Sequence, residues 1–452
     1  MYAIDCPQKS HQEFRRCVQL AALEKLLSDE EIEMVCAQLG HRWRDRLLPP
    51  TATVRSMVYR SLHPDRSIAA VLADLAAIGG VPGAAPTDSA WCQARSRLPL
   101  SVLVELRQRS ARRLLRQAGK GHQWFGRWVY IIDGSTLSMP DEPDLVSAFG
   151  YADTKHGPSR FPVARITFIT LAGVEAVWDY RLEEYRTSET AQFYDMWHAL
   201  PSGCISLFDR KFCSFYILAK LRQRRIASLT QLHQRRDPKE LIRAGRKIGK
   251  DEWIVPLELA PQLRRQYNDP SLPERLWVRL IRVPYRRGRQ RKVIWLVTTL
   301  MDPSRYPRRA VIALYRRRWG IETRIASVKV TLDLAVLRSK TEANVRREVA
   351  AAMLAHNLVW TLIHQAAQQT DTPPERISFA GAIKTVLAFS EPLRNATPAD
   401  RPTVYSHMLA YIAAHTNRHR PGRVEPRLVK RDKRRYGFLK IPREKARQKC
   451  LT

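Results

Sequence analysis

The sequence predicts a mixed α/β protein whose strand-containing core lies between two helical regions. Two short apolar runs, Trp128–Ile132 and Ile205–Phe208, are typical of buried strands. Residues 165–171 and 176–180 are two further runs of this kind, separated by a Gly-containing turn, and they predict a hairpin. Strands that alternate with helical segments in this order indicate a sheet with both parallel and antiparallel strands. The predicted fold class is therefore α/β with a mixed, α+β type of sheet.

The N-terminal region, residues 1–119, is predicted to be helical. Residues 67–78 form a short helix, and a Gly- and Pro-rich loop follows it. Thr87 then begins a capped basic helix that carries Arg95 and Arg97. Helix, break and capped basic helix is the outline of a helix-turn-helix, which makes Arg95 and Arg97 candidates for contacts to DNA. An ordinary helical bundle explains the same pattern.

The central region, residues 120–342, contains the predicted core and an interruption at about residues 236–303. In that interruption, prolines and basic residues separate short alternating runs such as Leu276–Val283 and Lys292–Thr298. Alternation of this kind predicts an antiparallel insertion within the central region.

The C-terminal part divides into a helical region, residues 343–417, and a basic tail, residues 418–452. An apolar stripe along residues 343–368 predicts one long helix. Between residues 418 and 449 the tail carries 14 Lys or Arg against 3 acids. A phosphate-binding arm and a solvated tail are both consistent with this composition.

The overall composition is strongly basic, with 77 Lys+Arg against 43 Asp+Glu and a formal net charge of +34. This excess favours a polyanionic partner, most commonly nucleic acid, although ribosomal and membrane-surface proteins share it. No apolar run of about 18 residues predicts a transmembrane helix, and no signal peptide is apparent. The seven cysteines are scattered without zinc spacing, so we expect reduced thiols and a cytoplasmic protein.

The most informative segment is residues 307–332, which are predicted to form one helix. On such a helix Tyr315, Arg318, Glu322 and Lys329 fall within about 60° of one another. This face suits a phosphodiester, because a carboxylate binds metal, cations bind phosphate oxygens and a ring stacks on a base or sugar. A solvated basic helix with an ion pair between Arg318 and Glu322 explains the same spacing.

Asp133 and Asp209 each come directly after one of the two apolar runs of the predicted core. Catalytic groups of α/β sheets gather at the carboxyl ends of strands, so two acids here and Glu322 on the helix would together suit a divalent metal. Ordinary structural roles are the alternative. Asp133 would be a turn residue before Gly134, and Asp209 would pair with a nearby Arg.

The helix segment resembles the signature of the DDE transposases of the insertion-sequence-4 type, which are bacterial enzymes with a ribonuclease-H-like catalytic core. That signature is Tyr, two residues, Arg, three residues, Glu, six residues and Lys. Tyr315, Arg318, Glu322 and Lys329 match it without a gap.

The two aspartates resemble the other catalytic motifs of the same family. Asp133 lies in Ile-Ile-Asp-Gly-Ser-Thr and Asp209 in Phe-Asp-Arg-Lys-Phe. The long interval between Asp209 and Glu322 resembles that of members with a strand-rich insertion. The resemblance implies a ribonuclease-H-like catalytic core with this insertion, a helical N-terminal domain that binds DNA ends, and a helical and basic C-terminal region.

The resemblance also implies an activity. A transposase of this type binds the inverted-repeat ends of its element, cleaves them with Mg²⁺ (or Mn²⁺ as a substitute) and joins the 3′ ends to target DNA. Asp133, Asp209 and Glu322 would be its catalytic residues and metal ligands. Double-stranded DNA would be the partner, bound by a homodimer associated with the bacterial nucleoid.

Further residues are candidates for DNA contacts. Arg318, Lys329 and Arg210 are candidates for phosphate or structural contacts, and Tyr315 is a candidate hydrogen-bond donor to DNA. Trp295 lies 27 residues before Glu322 in a predicted strand of the insertion. Strand alternation favours a core role for Trp295. The resemblance offers another role, because some family members stack a flipped base on an insertion-domain Trp while they form a DNA hairpin.

Two alternative functions remain open. The chain would also fit a non-catalytic DNA-binding protein descended from a transposase, or a ribonuclease-H-like nuclease without strand transfer. All three acidic positions are occupied, which favours the transposase.

Overall fold

The computed structural model describes residues 22–44, 46–63, 65–78, 86–154, 157–287, 290–332, 334–417 and 448–449. For residues 77–78, 286–287 and 319–330 it describes the backbone alone. The chain divides into two compact units, Met1–Thr416 and Asn417–Thr452. Almost all of the predicted basic tail lies outside the described residues, as does most of the loop that follows the helix of residues 67–78. None of the helices in the described part of the chain combines the length and apolar composition that a membrane span requires.

The described N-terminal region is helical, as predicted. Hydroxyl caps start three of its helices, since Ser28, Ser67 and Thr87 each accept from the amide three residues later, that of Glu31, Ala70 and Ala90 respectively. Pro50 occupies a first-turn position, where its missing amide costs nothing. The α-helices are α1 (Asp29–Gln38), α2 (Pro50–Leu62), α3 (Ile68–Ile78), α4 (Asp88–Arg97) and α5 (Leu100–Ala118).

The central region forms one large mixed sheet of ten strands among the described residues. Its strands are β1 (Val129–Ser138), β2 (Tyr151–Thr154), β3 (Gly157–Leu171), β4 (Val177–Glu184), β5 (Ile205–Phe208), β6 (Ala227–Gln231), β7 (Arg246–Gly249), β8 (Glu252–Glu258), β9 (Arg275–Arg287) and β10 (Gln290–Thr298). The predicted hairpin is confirmed, because β3 and β4 pair antiparallel.

The strand order β4-β3-β1-β5-β6 places three antiparallel strands beside two that run parallel to β1. This is the ribonuclease-H-like arrangement, and it puts the carboxyl end of β5 beside Ile132 in the middle of β1. The insertion is antiparallel, as predicted, and it extends the same sheet, because β10 pairs with β6 and is followed by β9, β8 and β7.

Helices cover the sheet and complete the fold. Those within the central region are α6 (Pro143–Phe149), α7 (Glu189–Met196), α8 (Phe215–Gln223), α9 (Pro238–Arg243), α10 (Pro261–Tyr267) and α11 (Arg308–Thr331). The C-terminal ones are α12 (Glu342–Thr370), α13 (Phe379–Ala388), α14 (Ser390–Asn395) and α15 (Arg401–Ala414). The predicted helices at 307–332 and 343–368 are therefore confirmed as α11 and α12.

The long helix α12 joins the helical region to the sheet through buried polar contacts. The Asn357 side chain accepts from the Val177 amide at 2.8 Å and donates to the Val177 carbonyl at 3.2 Å. On α5, the fully buried Arg107 pairs with Asp179 of β4 at 3.2 Å. These contacts bind α5, α12 and β4 together. The predicted divisions after residues 119 and 342 stay predictions.

Candidate active site

Asp133 and Asp209 lie at the same level on adjacent parallel strands. The register of β1 and β5 ends at the pair Ile132 and Phe208, and each aspartate is the next residue. The prediction that Asp133 ends its strand is wrong, because β1 continues to Ser138. It continues because β3 still pairs with it there, although β5 has ended.

Backbone amides orient both aspartate carboxylates. The amide of Gly134 donates to Asp133 Oδ1 at 2.9 Å, and the amide of Lys211 donates to Asp209 Oδ1 at 2.8 Å. The second bond makes Asp209 the cap of a short 3₁₀ turn, Arg210–Phe212. Both aspartates are half-buried, so each is fixed in direction and still reachable.

The signature helix α11 contacts both β1 and β5. It carries Glu322 and Lys329 in its helical backbone, and their side chains lie outside the described residues. Tyr315 and Arg318 are described, and their exposed fractions are only 1% and 7%. The Arg318 guanidinium lies 5.6 Å from the centre of the Tyr315 ring.

Tyr315 lies within the electrostatic reach of Asp209. Burial raises the pKa of the Tyr315 phenol above its ordinary value, the Arg318 guanidinium opposes that rise, and the Asp209 carboxylate adds to it. A buried Tyr315 offers no surface to DNA in this conformation. Its predicted role as a direct hydrogen-bond donor stays a prediction. The contact that is observed is between its ring and the Arg318 guanidinium, near Asp209.

The donor set at this end of the sheet fits a hard divalent cation. Mg²⁺ prefers carboxylate oxygens and retains several waters, so two or three acids are enough for a site. Asp133 and Asp209 supply two, and the helix with Glu322 packs on their strands. No group of three potential ligands from His, Cys, Asp and Glu occurs among the residues whose side chains are described.

Glu189 is a further acid at the site, and the sequence analysis did not identify it. It is the first residue of α7, and its side chain is 14% exposed. Glu189 Oε2 lies 3.5 Å from Lys211 Nζ, and Oε1 lies 3.9 Å from Arg165 Nη1. A Cβ atom added at Gly134 would lie only 2.4 Å from Glu189 Cδ. In the sequence, the glycine after Asp133 was the feature that could have indicated a side chain packed against this strand.

The remaining candidate residues near the sheet differ in exposure. Arg210 is exposed directly after Asp209. Trp295 is half-buried, and its ring lies 5.8 Å from that of Trp253. Because Leu296 pairs with Gln231 at the end of β6, Trp295 lies at the same end of the sheet as Asp209, roughly 10 Å away by two strand spacings.

Strand alternation decides which side of β10 carries Trp295. Its neighbours Ile294 and Leu296 line a cavity of about 350 Å³ together with Tyr315 of α11. The Trp295 ring therefore projects from the opposite side of the sheet, against Trp253. This packing is what the core role predicts, and the base-stacking role stays a prediction.

The two arginines of α4 occupy different environments. Arg95 is half-buried, its guanidinium lies 4.8 Å from the Trp91 ring centre, and it donates to Ser339 Oγ at 3.2 Å. Burial lowers the pKa of Arg95. Arg97 is exposed and lines a cavity of about 210 Å³ with residues 41–44. Only Arg97 thus presents an accessible cation, and both predicted DNA contacts stay predictions.

Residues 41–44 form a basic aromatic surface that the sequence analysis did not identify. His41 and Trp43 stack with their ring centres 6.1 Å apart, and Trp43 is 39% exposed. Arg42 and Arg44 beside them are exposed. The alternation of cations and rings in His-Arg-Trp-Arg was the available signal, because single-stranded and unpaired bases stack on such rings.

A ribonuclease-H-like sheet with two carboxylates level with each other on its central parallel strands is typical of enzymes that act on nucleic-acid phosphodiesters with divalent metal ions. A profile of the family described as "Transposase DDE domain" matches residues 124–358. The transposase InsG of insertion sequence element IS4 from Escherichia coli K12 is 26% identical over 422 residues, which cover 91% of this chain and 92% of that protein. The chain belongs to the DDE transposase family, and it is of the insertion-sequence-4 type.

A second relative is similar over a shorter region. The putative transposase InsZ of Escherichia coli K12 is 29% identical over 137 residues, which cover 30% of this chain and 46% of that protein. Membership of the family makes DNA the partner class and implies a divalent metal.

Proposed function

We propose that this transposase binds the inverted-repeat ends of its element, cleaves them with Mg²⁺ or Mn²⁺, and joins the 3′ ends to target DNA as a homodimer. One observation carries the proposal: Asp133 and Asp209 are level with each other on adjacent parallel strands, directly after the last pair of their register, and the helix that contains Glu322 contacts both strands. Two acids at this place can serve one metal site, which neither could form alone.

In the proposed mechanism Asp133, Asp209 and Glu322 hold the divalent metal. When bound, such ions activate the attacking oxygen and stabilise the leaving oxygen of a phosphodiester. The amides of Gly134 and Lys211 hold the two aspartate carboxylates in a fixed direction before metal arrives. Preset ligands lose less conformational entropy on binding, which favours a defined site.

The cations around the acids have separate proposed tasks. Arg210 is exposed beside Asp209, so it is suited to a phosphate next to the scissile one. Lys329 would serve the same purpose from α11. Arg318 is buried against Tyr315, and we assign this pair to positioning of the helix rather than to first contact with DNA.

A second DNA surface is proposed on the N-terminal helices. It consists of residues 41–44 and Arg97, which line one cavity. Exposed guanidinium groups neutralise phosphates, and an exposed tryptophan stacks on a base or sugar. Arg95 lines a different cavity, where its guanidinium is engaged by Trp91 and Ser339, so it is not assigned to this surface. The basic tail from Arg418 is proposed as an additional phosphate-binding arm because of its 14 cations.

One experiment distinguishes this proposal from its two alternatives. Purified full-length protein is incubated with Mg²⁺, a labelled duplex that carries the repeats flanking its gene, and a supercoiled target plasmid. We expect labelled 3′ ends covalently joined to the plasmid. Cleaved ends without joined products would indicate a nuclease that lacks strand transfer. Specific binding without cleavage in either Mg²⁺ or Mn²⁺ would indicate a non-catalytic DNA-binding protein.

A further inference from the structure

Glu189 touches both segments that support the two aspartates. Its carboxyl group lies against the backbone of Gly134, since an added Cβ there would be 2.4 Å from Glu189 Cδ. The same carboxylate lies 3.5 Å from the ammonium of Lys211. Gly134 and Lys211 are the two residues whose amides donate to Asp133 Oδ1 and Asp209 Oδ1. One side chain thus lies against the backbone of Gly134 and contacts the side chain of Lys211, the two residues whose amides orient the acids.

The position of Glu189 at the start of α7 explains its residue type only in part. An acid in the first turn interacts favourably with the helix dipole, and an exposed acid would serve equally well. Glu189 is instead 14% exposed and reaches two cations, Lys211 and Arg165, on different segments. A side chain held in this way restrains the strand by direct contact at Gly134, and it restrains the turn through the charge of Lys211, whose side chain is 60% exposed.

Glu189 acts from the side of the sheet opposite to Asp133. Consecutive residues of a strand project to opposite faces, so the contact at Gly134 lies behind the Asp133 carboxylate. α7 lies on that rear face, where Phe193 packs on Phe208 with ring centres 6.0 Å apart. Glu189 therefore restrains the acids without occupying the face that α11 covers.

We infer that Glu189 is a positioning residue, which fixes the spacing of Asp133 and Asp209 by bracing Gly134 and Lys211 from the rear of the sheet. This inference rests on the proposed metal-binding role of the two aspartates. Groups that orient metal ligands contribute to affinity without touching the metal, and their loss typically weakens binding or activity by about 10–100-fold. The glycine after Asp133 then has a reason, because any larger residue would displace Glu189.

The test measures Mn²⁺ binding calorimetrically on the complex of full-length protein with repeat DNA, beside cleavage and thermal unfolding. Glu189→Gln keeps the shape of the side chain and removes its charge. We expect Mn²⁺ affinity to fall about tenfold, cleavage to need correspondingly more Mn²⁺, and DNA affinity and melting temperature to stay unchanged. Glu258→Gln is the matched control, because Glu258 of β8 forms an exposed pair with Arg275 of β9 and the change removes only that charge.

A second variant tests the contact itself. Gly134→Ala introduces the Cβ that would meet Glu189, and the backbone of Gly134 is not in the left-handed region that would forbid alanine. We expect Gly134→Ala to reproduce the Mn²⁺ defect in the wild-type background. In the Glu189→Ala background it should add less than about twofold, because the two changes disturb one contact.

Three results separate this inference from the proposed function. Wild-type Mn²⁺ affinity in both Glu189→Gln and Gly134→Ala, with Asp133→Asn binding no Mn²⁺, would overturn the positioning role and leave the metal site standing. A melting temperature lowered together with DNA affinity would show that Glu189 only stabilises the fold. Unchanged Mn²⁺ affinity in Asp133→Asn would contradict the metal site itself.

Discussion

The two halves of the sheet use carboxylates in different ways. The antiparallel half is the insertion, β7–β10, and the parallel half is the core that contains the parallel strands β1, β5 and β6. In the antiparallel half, Glu252 of β8 and Arg279 of β9 are 7% and 0% exposed, and Arg279 Nη2 lies 2.7 Å from Glu252 Oε2. Arg279 also donates to the Tyr306 carbonyl at 2.7 Å. In the parallel half, Asp133 and Asp209 are half-buried and level with each other on adjacent strands, although neighbouring like charges destabilise a fold. Buried and paired acids maintain this structure, and half-buried adjacent acids are suited to bind a ligand.

The sharpest test of the antiparallel half is Glu252→Ala. It leaves Arg279 buried without its carboxylate, and it removes the charge that lies 4.0 Å from Arg308 at the start of α11. Removal of one partner of a buried pair typically costs about 3–5 kcal/mol, which should appear in the free energy of unfolding measured with urea.

The matched control lies on the same strand. Glu258 pairs with Arg275 at 2.9 Å, but both side chains are more than half exposed. Glu258→Ala should cost no more than about 1 kcal/mol. Equal losses in the two variants would refute the assignment of Glu252 and Arg279 to the structural half.

Trp295 lies where the two halves meet, because β10 pairs with both β6 and β9. Its truncation tests whether the side chain stabilises the fold or contacts DNA. As a half-buried tryptophan packed on Trp253, it should contribute about 2 kcal/mol to unfolding, roughly half the cost of a fully buried ring. Trp253→Ala removes the same contact from the other side and should destabilise the protein similarly.

The DNA products of these two variants distinguish a structural role of Trp295 from base stacking. If Trp295 is structural, both variants should cleave all strands with equally reduced activity. A Trp295→Ala protein that nicks the first strand normally yet forms little hairpin, while Trp253→Ala forms it normally, would establish base stacking instead.

Exposed tryptophans extend the comparison to the N-terminal helices. Trp43 and Trp277 are 39% and 40% exposed, but only Trp43 lies in the cavity with Arg42, Arg44 and Arg97. Trp43→Ala should weaken binding of repeat DNA by about fivefold, the lower end of the contribution from one stacked base. Trp277→Ala on β9 should leave DNA affinity unchanged in the same gel-shift titration. Identical affinities for the two variants would exclude this surface from the interface.

Local sequence was sufficient to predict most of the elements. The apolar runs before Asp133 and Asp209 became β1 and β5, because continuous apolar segments of this length are buried as central strands. The signature helix was predicted at 307–332 and runs from Arg308 to Thr331. Its helical period depends only on residues near one another in the chain.

What the sequence did not reveal depends on partners that are distant in the chain. β1 extends beyond Asp133 because β3 pairs with it, and the insertion extends the main sheet because β10 finds β6. Tyr315 is buried because α11 packs on the sheet. Helical angles alone showed only which residues share a face of α11, so they predicted that Tyr315 contacts DNA. Glu189 reaches Gly134 across more than 50 residues of sequence, so no spacing rule identifies it.

The central claim is that Asp133, Asp209 and Glu322 serve metal-dependent cleavage and not stability. The direct measurement is cleavage of repeat DNA in Mg²⁺ by Asp133→Asn, Asp209→Asn and Glu322→Gln, with DNA affinity and unfolding free energy determined on the same preparations. The cleavage rate of each variant should fall by more than about a hundredfold, while its DNA affinity and stability stay near wild type. A fall of that size exceeds the loss expected for a residue that only orients a metal ligand. Near-wild-type cleavage by any one of them would remove that residue from the site, and cleavage lost only in proportion to stability would contradict the claim as a whole.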